Sequence, residues 1–141
     1  NQDLAIKEFT LCLDYLKGLR NLHIYSSTLY HLAKLHLDKD NNLALEYLEQ
    51  AESTATEFKV KRVLRDIYEL YSEYYYAKGD LAKSLDYKNR FIVLKDSIFN
   101  EKMANNLRQL QLSNLKKESD EVIQRQQNKI VKSSQLTFLF S

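Results

Sequence analysis

The feature that most constrains this chain is its shortage of residues that break helices. Its 141 residues include no proline and only two glycines, Gly18 and Gly79. Proline and glycine mark most turns between strands, whereas the abundant leucine, lysine, glutamate, glutamine and alanine favour helix. The sequence therefore predicts an all-α fold, and its length is that of one ordinary domain with a core of its own.

Charge and cysteine content narrow the range of functions. Lysine and arginine total 21 against 19 aspartates and glutamates, a formal net charge of +2. Because the two totals are nearly equal, the segment has no long-range electrostatic field that would attract nucleic acid or anionic lipid. We therefore expect it to bind no nucleic acid. The one cysteine, Cys12, cannot form an internal disulfide, which leaves the compartment open. The chain starts at Asn1 without a signal segment, so we expect a piece of a longer protein.

Three stretches of the sequence align with one another. They are DLAIKEFTLCLDYL from Asp3, NLALEYLEQAESTA from Asn42 and DLAKSLDYKNRFIV from Asp80. Their equivalent small positions are Ala5, Ala44 and Ser84. The steps between these positions are 39 and 40 residues, which is typical of a repeated helical hairpin.

The residues that follow these small positions continue the pattern. Four and seven residues further on stand Phe9 and Cys12, then Leu48 and Ala51, then Lys88 and Phe91. The first two sets read small, large, small, and the third departs from that order. This order resembles the second helix of a tetratricopeptide repeat, and the resemblance covers Asp3 to Leu94. The Gly-Asp turn common in that family is present at Gly79 and Asp80, whereas the earlier turn has Lys39 in place of glycine.

The resemblance implies antiparallel helical hairpins stacked as an α-solenoid and ending in a long C-terminal helix. Residues 1–98 would form the repeats, starting in the middle of one, and residues 99–141 the long helix. Gly79 is expected to close one helix in the left-handed conformation, and Asp80 to cap the next. The predicted helices run over Leu4–Leu19, Ile24–Leu37, Leu43–Phe58, Lys61–Lys78 and Leu81–Ser97, with the long helix starting near Asn100.

Five tyrosines crowd the stretch from Tyr68 to Tyr76. Tyr68, Tyr71 and Tyr75 recur at i, i+3 and i+7, which places them on one helix face. A stripe of this kind usually packs against a core, and we interpret these three as packing residues. Tyr74 and Tyr76 fall outside the stripe.

The resemblance also implies a ligand-facing surface on the first helix of each repeat. Carried over position by position, it selects Ser26, Leu29, Ala33 and His36 in one repeat, and Asp66, Glu69, Glu73 and Tyr76 in the next. The second set steps by three, four and three residues and would line one side of a helix. Two interpretations stay open: a groove for a basic or amide-rich peptide, or a solvated acidic face. Family members that bind chaperones use lysine and asparagine there, so that activity is not expected.

Catalytic and metal-binding patterns are missing from the sequence. The histidines at 23, 31 and 36 have no metal-ligand spacing. Cys12 occupies a small position that the repeat pattern predicts to be buried. Two isolated glycines cannot form a phosphate-binding loop. We therefore expect no enzyme activity, no cofactor and no metal.

The C-terminal part of the sequence changes character. Phe99, Met103, Leu107 and Leu110 form one helical stripe, which is predicted to dock on the repeats. Beyond Leu115 the apolar residues are too sparse for a self-sufficient coiled coil, so this part either pairs with a second copy of the chain or frays in water. The final apolar residues are too few to span a bilayer, and a membrane contact would require residues after 141.

A narrower resemblance covers Leu94 to Lys117. The stretch VLKDSIFNEKMANNLRQLQ is similar to the junction in Bacteroidetes-type sensory regulators, where helical repeats precede a long helix, a membrane segment and a histidine kinase or a LuxR-type DNA-binding domain. It implies a non-catalytic sensing or peptide-binding module of a regulatory protein, on the periplasmic or cytoplasmic side of a bacterial inner membrane. The alternative is an assembly adaptor that dimerises through its long helix.

Overall fold

The computed structural model describes all 141 residues and confirms the all-α prediction, with five helices and no strand. The helices are α1 (Gln2–Leu19), α2 (Leu22–His36), α3 (Asn41–Glu57), α4 (Lys61–Ala77) and α5 (Leu81–Phe140). The chain divides into two compact units, Asn1–Ile98 and Phe99–Ser141.

The predicted ends of α1 to α4 lie within two residues of the observed ones. The predicted break between Ser97 and Asn100 is wrong, because α5 continues through this segment for 60 residues in all. A helix can begin at Asn100 only if the backbone just before it leaves the helical conformation. No proline or glycine near this position forces the backbone to do so, and the helix therefore continues.

The first unit is held together by contacts between successive helices. α1 packs on α2, α2 packs on both α3 and α4, and α3 packs on α4. Connections of two to four residues join these helices, so neighbours in sequence run antiparallel. The largest side chains that are fully buried are Leu29, Leu32, Leu48, Ile67 and Leu70.

Small residues on α3 allow its neighbours to approach closely. Ala44, Ala51 and Ala55 are buried, as the repeat pattern predicts for the first two, and Ser84 is buried at the equivalent position of α5. Cys12 is a correction, because its side chain is exposed. α1 turns Leu13 and Leu16 toward the core instead, which leaves Cys12 on the solvent side of the helix.

Two of the turns close in the same way. Lys59 and Gly79 have positive φ values of 54° and 80°. The next amide in each case reaches back to the preceding helix: Val60 N–H donates to the Ala55 carbonyl at 2.8 Å, and Asp80 N–H donates to the Tyr75 carbonyl at 3.0 Å. These are Schellman motifs. The expected left-handed Gly79 is therefore confirmed.

The predicted cap at Asp80 is confirmed, and Asp40 caps α3 in the same way. Asp80 Oδ1 accepts a hydrogen bond from Lys83 N–H at 3.2 Å. Asp40 Oδ1 accepts from two amides, those of Asn42 and Leu43, both at 3.1 Å. Each carboxylate thus satisfies donors that the first turn of the helix leaves free.

The tyrosine stripe is confirmed as packing. Tyr71 is buried, and Tyr68 and Tyr75 are half-buried against the core. These three rings surround Tyr87 of α5, with ring centroids 4.5 Å (Tyr71), 5.7 Å (Tyr75) and 6.0 Å (Tyr68) from it. Offset stacking of this kind adds to the energy of burial. We call these four residues the tyrosine cluster.

The second unit, Phe99–Ser141, is helical to Phe140, and all of its residues are exposed. The exposed residues include the apolar stripe of Phe99, Met103, Leu107 and Leu110. Docking of this stripe on the repeats stays a prediction. No helix of the chain combines the length and the apolar character that crossing a bilayer requires.

Candidate functional site

Four residues of α2 and α4 form the acidic surface that we consider the candidate site. Burial raises the pKa of Tyr30 on α2, and the negative charges of Asp66, Glu69 and Glu73 on α4 raise it further. One phenol group therefore lies within the electrostatic reach of all three carboxylates. We call Tyr30, Asp66, Glu69 and Glu73 the α2–α4 face.

The three carboxylates of the α2–α4 face are not equally available. Arg65 binds Asp66, with Nε and Nη2 at 2.8 and 2.7 Å from Oδ1. Glu69 is half-buried and Glu73 is exposed. The charge of Asp66 is thus largely compensated, and Glu69 and Glu73 carry the unbalanced charge of the face.

A small pocket of about 210 Å³ adjoins Glu73. Its lining is Leu37, Asp38, Asn41, Glu73, Tyr74, Ala77 and Lys78. With the Asn41 amide oriented so that its nitrogen donates to the Leu37 carbonyl, its oxygen accepts from Lys78 Nζ at 3.2 Å. The pocket therefore combines an apolar floor with both signs of charge, and its volume suits one side chain rather than a whole ligand.

The prediction is wrong for three of the eight residues that were expected to line the groove. Ser26, Leu29 and Ala33 are 0% exposed, and they offer no surface to a ligand. Their face of α2 packs into the core, where the Ser26 hydroxyl donates to the His23 carbonyl at 3.0 Å. At Leu29 the prediction is off by one residue, because it is the pKa of the following residue, Tyr30, that burial and the carboxylates of α4 raise.

His36, also predicted for the groove, is half-buried and stacks on Tyr47 with ring centroids 5.7 Å apart. Its Nδ1 is buried without a hydrogen-bond partner. The remaining predicted residue, Tyr76, is exposed. Of the predicted set, Asp66, Glu69 and Glu73 are thus brought together beside α2. The residue that the sequence analysis missed is Tyr30. The spacing of apolar residues along α2 would have placed it at the edge of the buried face of that helix.

Sequence reasoning also missed a second concave surface, between α4 and α5. It encloses about 460 Å³ and is lined by Leu64, Tyr68, Asp86, Asn89, Arg90, Val93, Leu94 and Ser97. The Arg90 guanidinium binds Asp86 at 3.0 Å and lies 5.9 and 5.2 Å from the ring centroids of Tyr68 and Tyr87. Its charge is satisfied within the protein, so it strengthens the packing of α5 on α4.

The structure brings no three histidine, cysteine, aspartate or glutamate side chains into an arrangement that would hold a metal ion. Comparison with known proteins adds no relative: no protein-family model matches this chain, and no curated protein or solved structure matches it.

Proposed function

We propose that the first unit is a non-catalytic module of tetratricopeptide-like helical hairpins that binds a basic or amide-rich segment of a protein partner. The observation that supports this most is the position of Tyr30 on α2 within reach of Asp66, Glu69 and Glu73 on α4. An aromatic ring beside unbalanced carboxylates suits a lysine or arginine side chain, because the ring covers the aliphatic stem and the carboxylates pair with the cation.

In this proposal the chain is the sensing or interaction part of a regulatory protein. Binding on the α2–α4 face would be electrostatic in part, since Glu69 and Glu73 are accessible to solvent. Salt should therefore weaken it, as expected for partly exposed charges.

A direct test uses fluorescent peptides of lysine, arginine and asparagine as probes, with binding measured by fluorescence anisotropy at low and high salt. Glu69→Lys/Glu73→Lys should abolish binding, and Tyr30→Ala should weaken it. Glu46→Lys/Glu57→Lys is the matched control, because it makes the same change of charge at exposed positions of α3. Equal affinity of the wild type and the Glu69→Lys/Glu73→Lys variant would remove the proposal.

A second candidate function is an assembly adaptor that dimerises through the long helix. It is favoured by the exposure of every side chain from Phe99 to Ser141, including Ile123 and Ile130. Light scattering of the full chain distinguishes the two: Ile123→Asp/Ile130→Asp should convert an adaptor dimer to a monomer. If the chain acts only through the α2–α4 face, the variant should have the same mass in solution as the wild type.

A further inference from the structure

α1 has apolar side chains on two opposite faces. Leu13 and Leu16 are buried, whereas Leu4, Leu11 and Tyr15 are between 57% and 70% exposed. Steps of seven and four residues place these three on one line along the helix, and Glu8 lies on the same line between the two leucines. Glu8 forms no ion pair within the chain. We call Leu4, Glu8, Leu11 and Tyr15 the α1 stripe.

The beginning of α5, which belongs to the same unit, has a similar line of exposed side chains. Leu81, Leu85 and Ile92 are between 44% and 63% exposed. Lys88 lies between the last two on the same side of the helix, with its ammonium group 4.8 Å from the ring centroid of Phe91. We call Leu81, Leu85, Lys88 and Ile92 the α5 stripe.

The two stripes have the same spacing, with steps of four, three and four residues. When the helices are laid antiparallel, Glu8 is opposite Lys88. The other three positions then pair apolar with apolar: Leu4 with Ile92, Leu11 with Leu85, and Tyr15 with Leu81. A parallel alignment would instead place Glu8 opposite Leu85 and Leu11 opposite Lys88. Charge therefore selects the antiparallel alignment.

We propose that the α1 stripe of one copy packs antiparallel on the α5 stripe of a second copy. Both stripes are exposed within a single chain, so neither is covered by the other there. Pairing α1 with α1 would place Glu8 near its own counterpart, and pairing α5 with α5 would do the same for Lys88. Only the contact between unlike stripes joins opposite charges.

A single such contact leaves one stripe free on each molecule of the pair, and these two free stripes either pair with each other or bind further copies. Further copies can therefore add, and the assembly grows with protein concentration unless it closes into a ring. Four side chains from each partner make a small interface, so the association is weak and reversible.

Sedimentation equilibrium of the full chain over a wide range of concentration tests the proposal. The wild-type average mass should rise with concentration, to that of a dimer where two copies close a ring and beyond it where further copies add, whereas Leu11→Asp and Leu85→Asp should each remain monomeric. A mixture of these two variants should reach the mass of a dimer and no more, because each retains one intact stripe. Val93→Asp is the matched control, since Val93 is an exposed apolar residue of α5 outside the stripe, and it should behave as wild type.

Exchange of the central charges provides a second test. Glu8→Lys or Lys88→Glu alone should weaken association roughly tenfold or more, because like charges then meet across the interface. Both substitutions in one chain, or a mixture of the two single variants, should restore it. Circular dichroism checks that each variant keeps its helix content. A monomeric wild type at all concentrations, association that survives Leu11→Asp, or a failure of the double exchange to restore it would overturn the proposal.

Discussion

Ser72 and Ser84 bind each other's backbone across the contact between α4 and α5. The Ser84 hydroxyl donates to the Ser72 carbonyl at 2.8 Å, and the Ser72 hydroxyl donates to the Ser84 carbonyl at 2.9 Å. Both residues are buried, and the two hydroxyl oxygens are 3.3 Å apart. A side chain can reach the backbone of the opposite helix in this way only where two helices approach closely, so small residues at both positions set the separation of α4 and α5.

Enlarging Ser84 should therefore destabilise the protein more than shortening it. Ser84→Ala removes one hydrogen bond, which costs about 1 kcal/mol of the free energy of unfolding. Ser84→Leu also forces the helices apart, at a cost of about 1–3 kcal/mol. Urea denaturation followed by circular dichroism measures both, with Ser113→Leu as the exposed control on the same helix. A leucine variant as stable as the alanine variant would contradict the close contact.

Tyr71 couples the tyrosine cluster to α3. Its side chain is 2% exposed, and burial together with the negative charge of Glu52 on α3 raises the pKa of its hydroxyl. Tyr71→Phe should lower the free energy of unfolding by about 1 kcal/mol, because a buried polar hydroxyl under the influence of the Glu52 carboxylate is lost. Tyr76→Phe is the matched control, since Tyr76 is 70% exposed, and it should change little. Equal stability of Tyr71→Phe and wild type would show that the hydroxyl contributes nothing.

Burial of several tyrosine side chains predicts that the protein loses stability at alkaline pH. Burial raises the pKa of Tyr30, Tyr68, Tyr71 and Tyr87 above the ordinary value of 10.0, and nearby acidic groups such as Glu52 add to the increase at the last three. Above pH 10 these tyrosines ionise in the unfolded chain but stay protonated in the folded one, so the unfolded state gains stability. The stabilisation that these tyrosines provide should be fully present below pH 10 and should decrease as the pH rises above this value.

Denaturation midpoints measured between neutral pH and strong alkali test this dependence. Tyr71→Phe should show a shallower decline than wild type, because one fewer proton is released on unfolding. The exposed Tyr76 provides the comparison, and Tyr76→Phe should decline as steeply as wild type. A decline equally steep in the Tyr71→Phe variant would contradict the raised pKa of Tyr71.

Some features of this chain were predictable because they depend on local order in the sequence. The spacing of Ala44 and Ala51, and that of Tyr68 and Tyr71, follows the helical period, so the buried faces of α3 and α4 could be predicted. The continuity of α5 was missed because a helix end is visible only where a residue forces it. The α2–α4 face was predicted on α4 alone, since a one-residue error on α2 turns a side chain by about 100° and exchanges Leu29 for Tyr30.

Lys59 should be replaceable by glycine with a gain in stability. It has the same positive φ and the same Schellman hydrogen bonds as Gly79, yet its Cβ makes the left-handed conformation costly by roughly 1–2 kcal/mol. Glycine removes that strain but has more freedom in the unfolded chain, so Lys59→Gly should raise the free energy of unfolding by about 0.5–1 kcal/mol.

The reverse change, Gly79→Ala, should lower the free energy of unfolding by about 1 kcal/mol. The space around Gly79 is open, so backbone strain is the main cost of adding a Cβ there. Lys39→Gly provides the control, because the φ of Lys39 is not positive, and it should not stabilise. Thermal and urea denaturation measure all three, and a loss of stability in the Lys59→Gly variant would contradict the left-handed turn after α3.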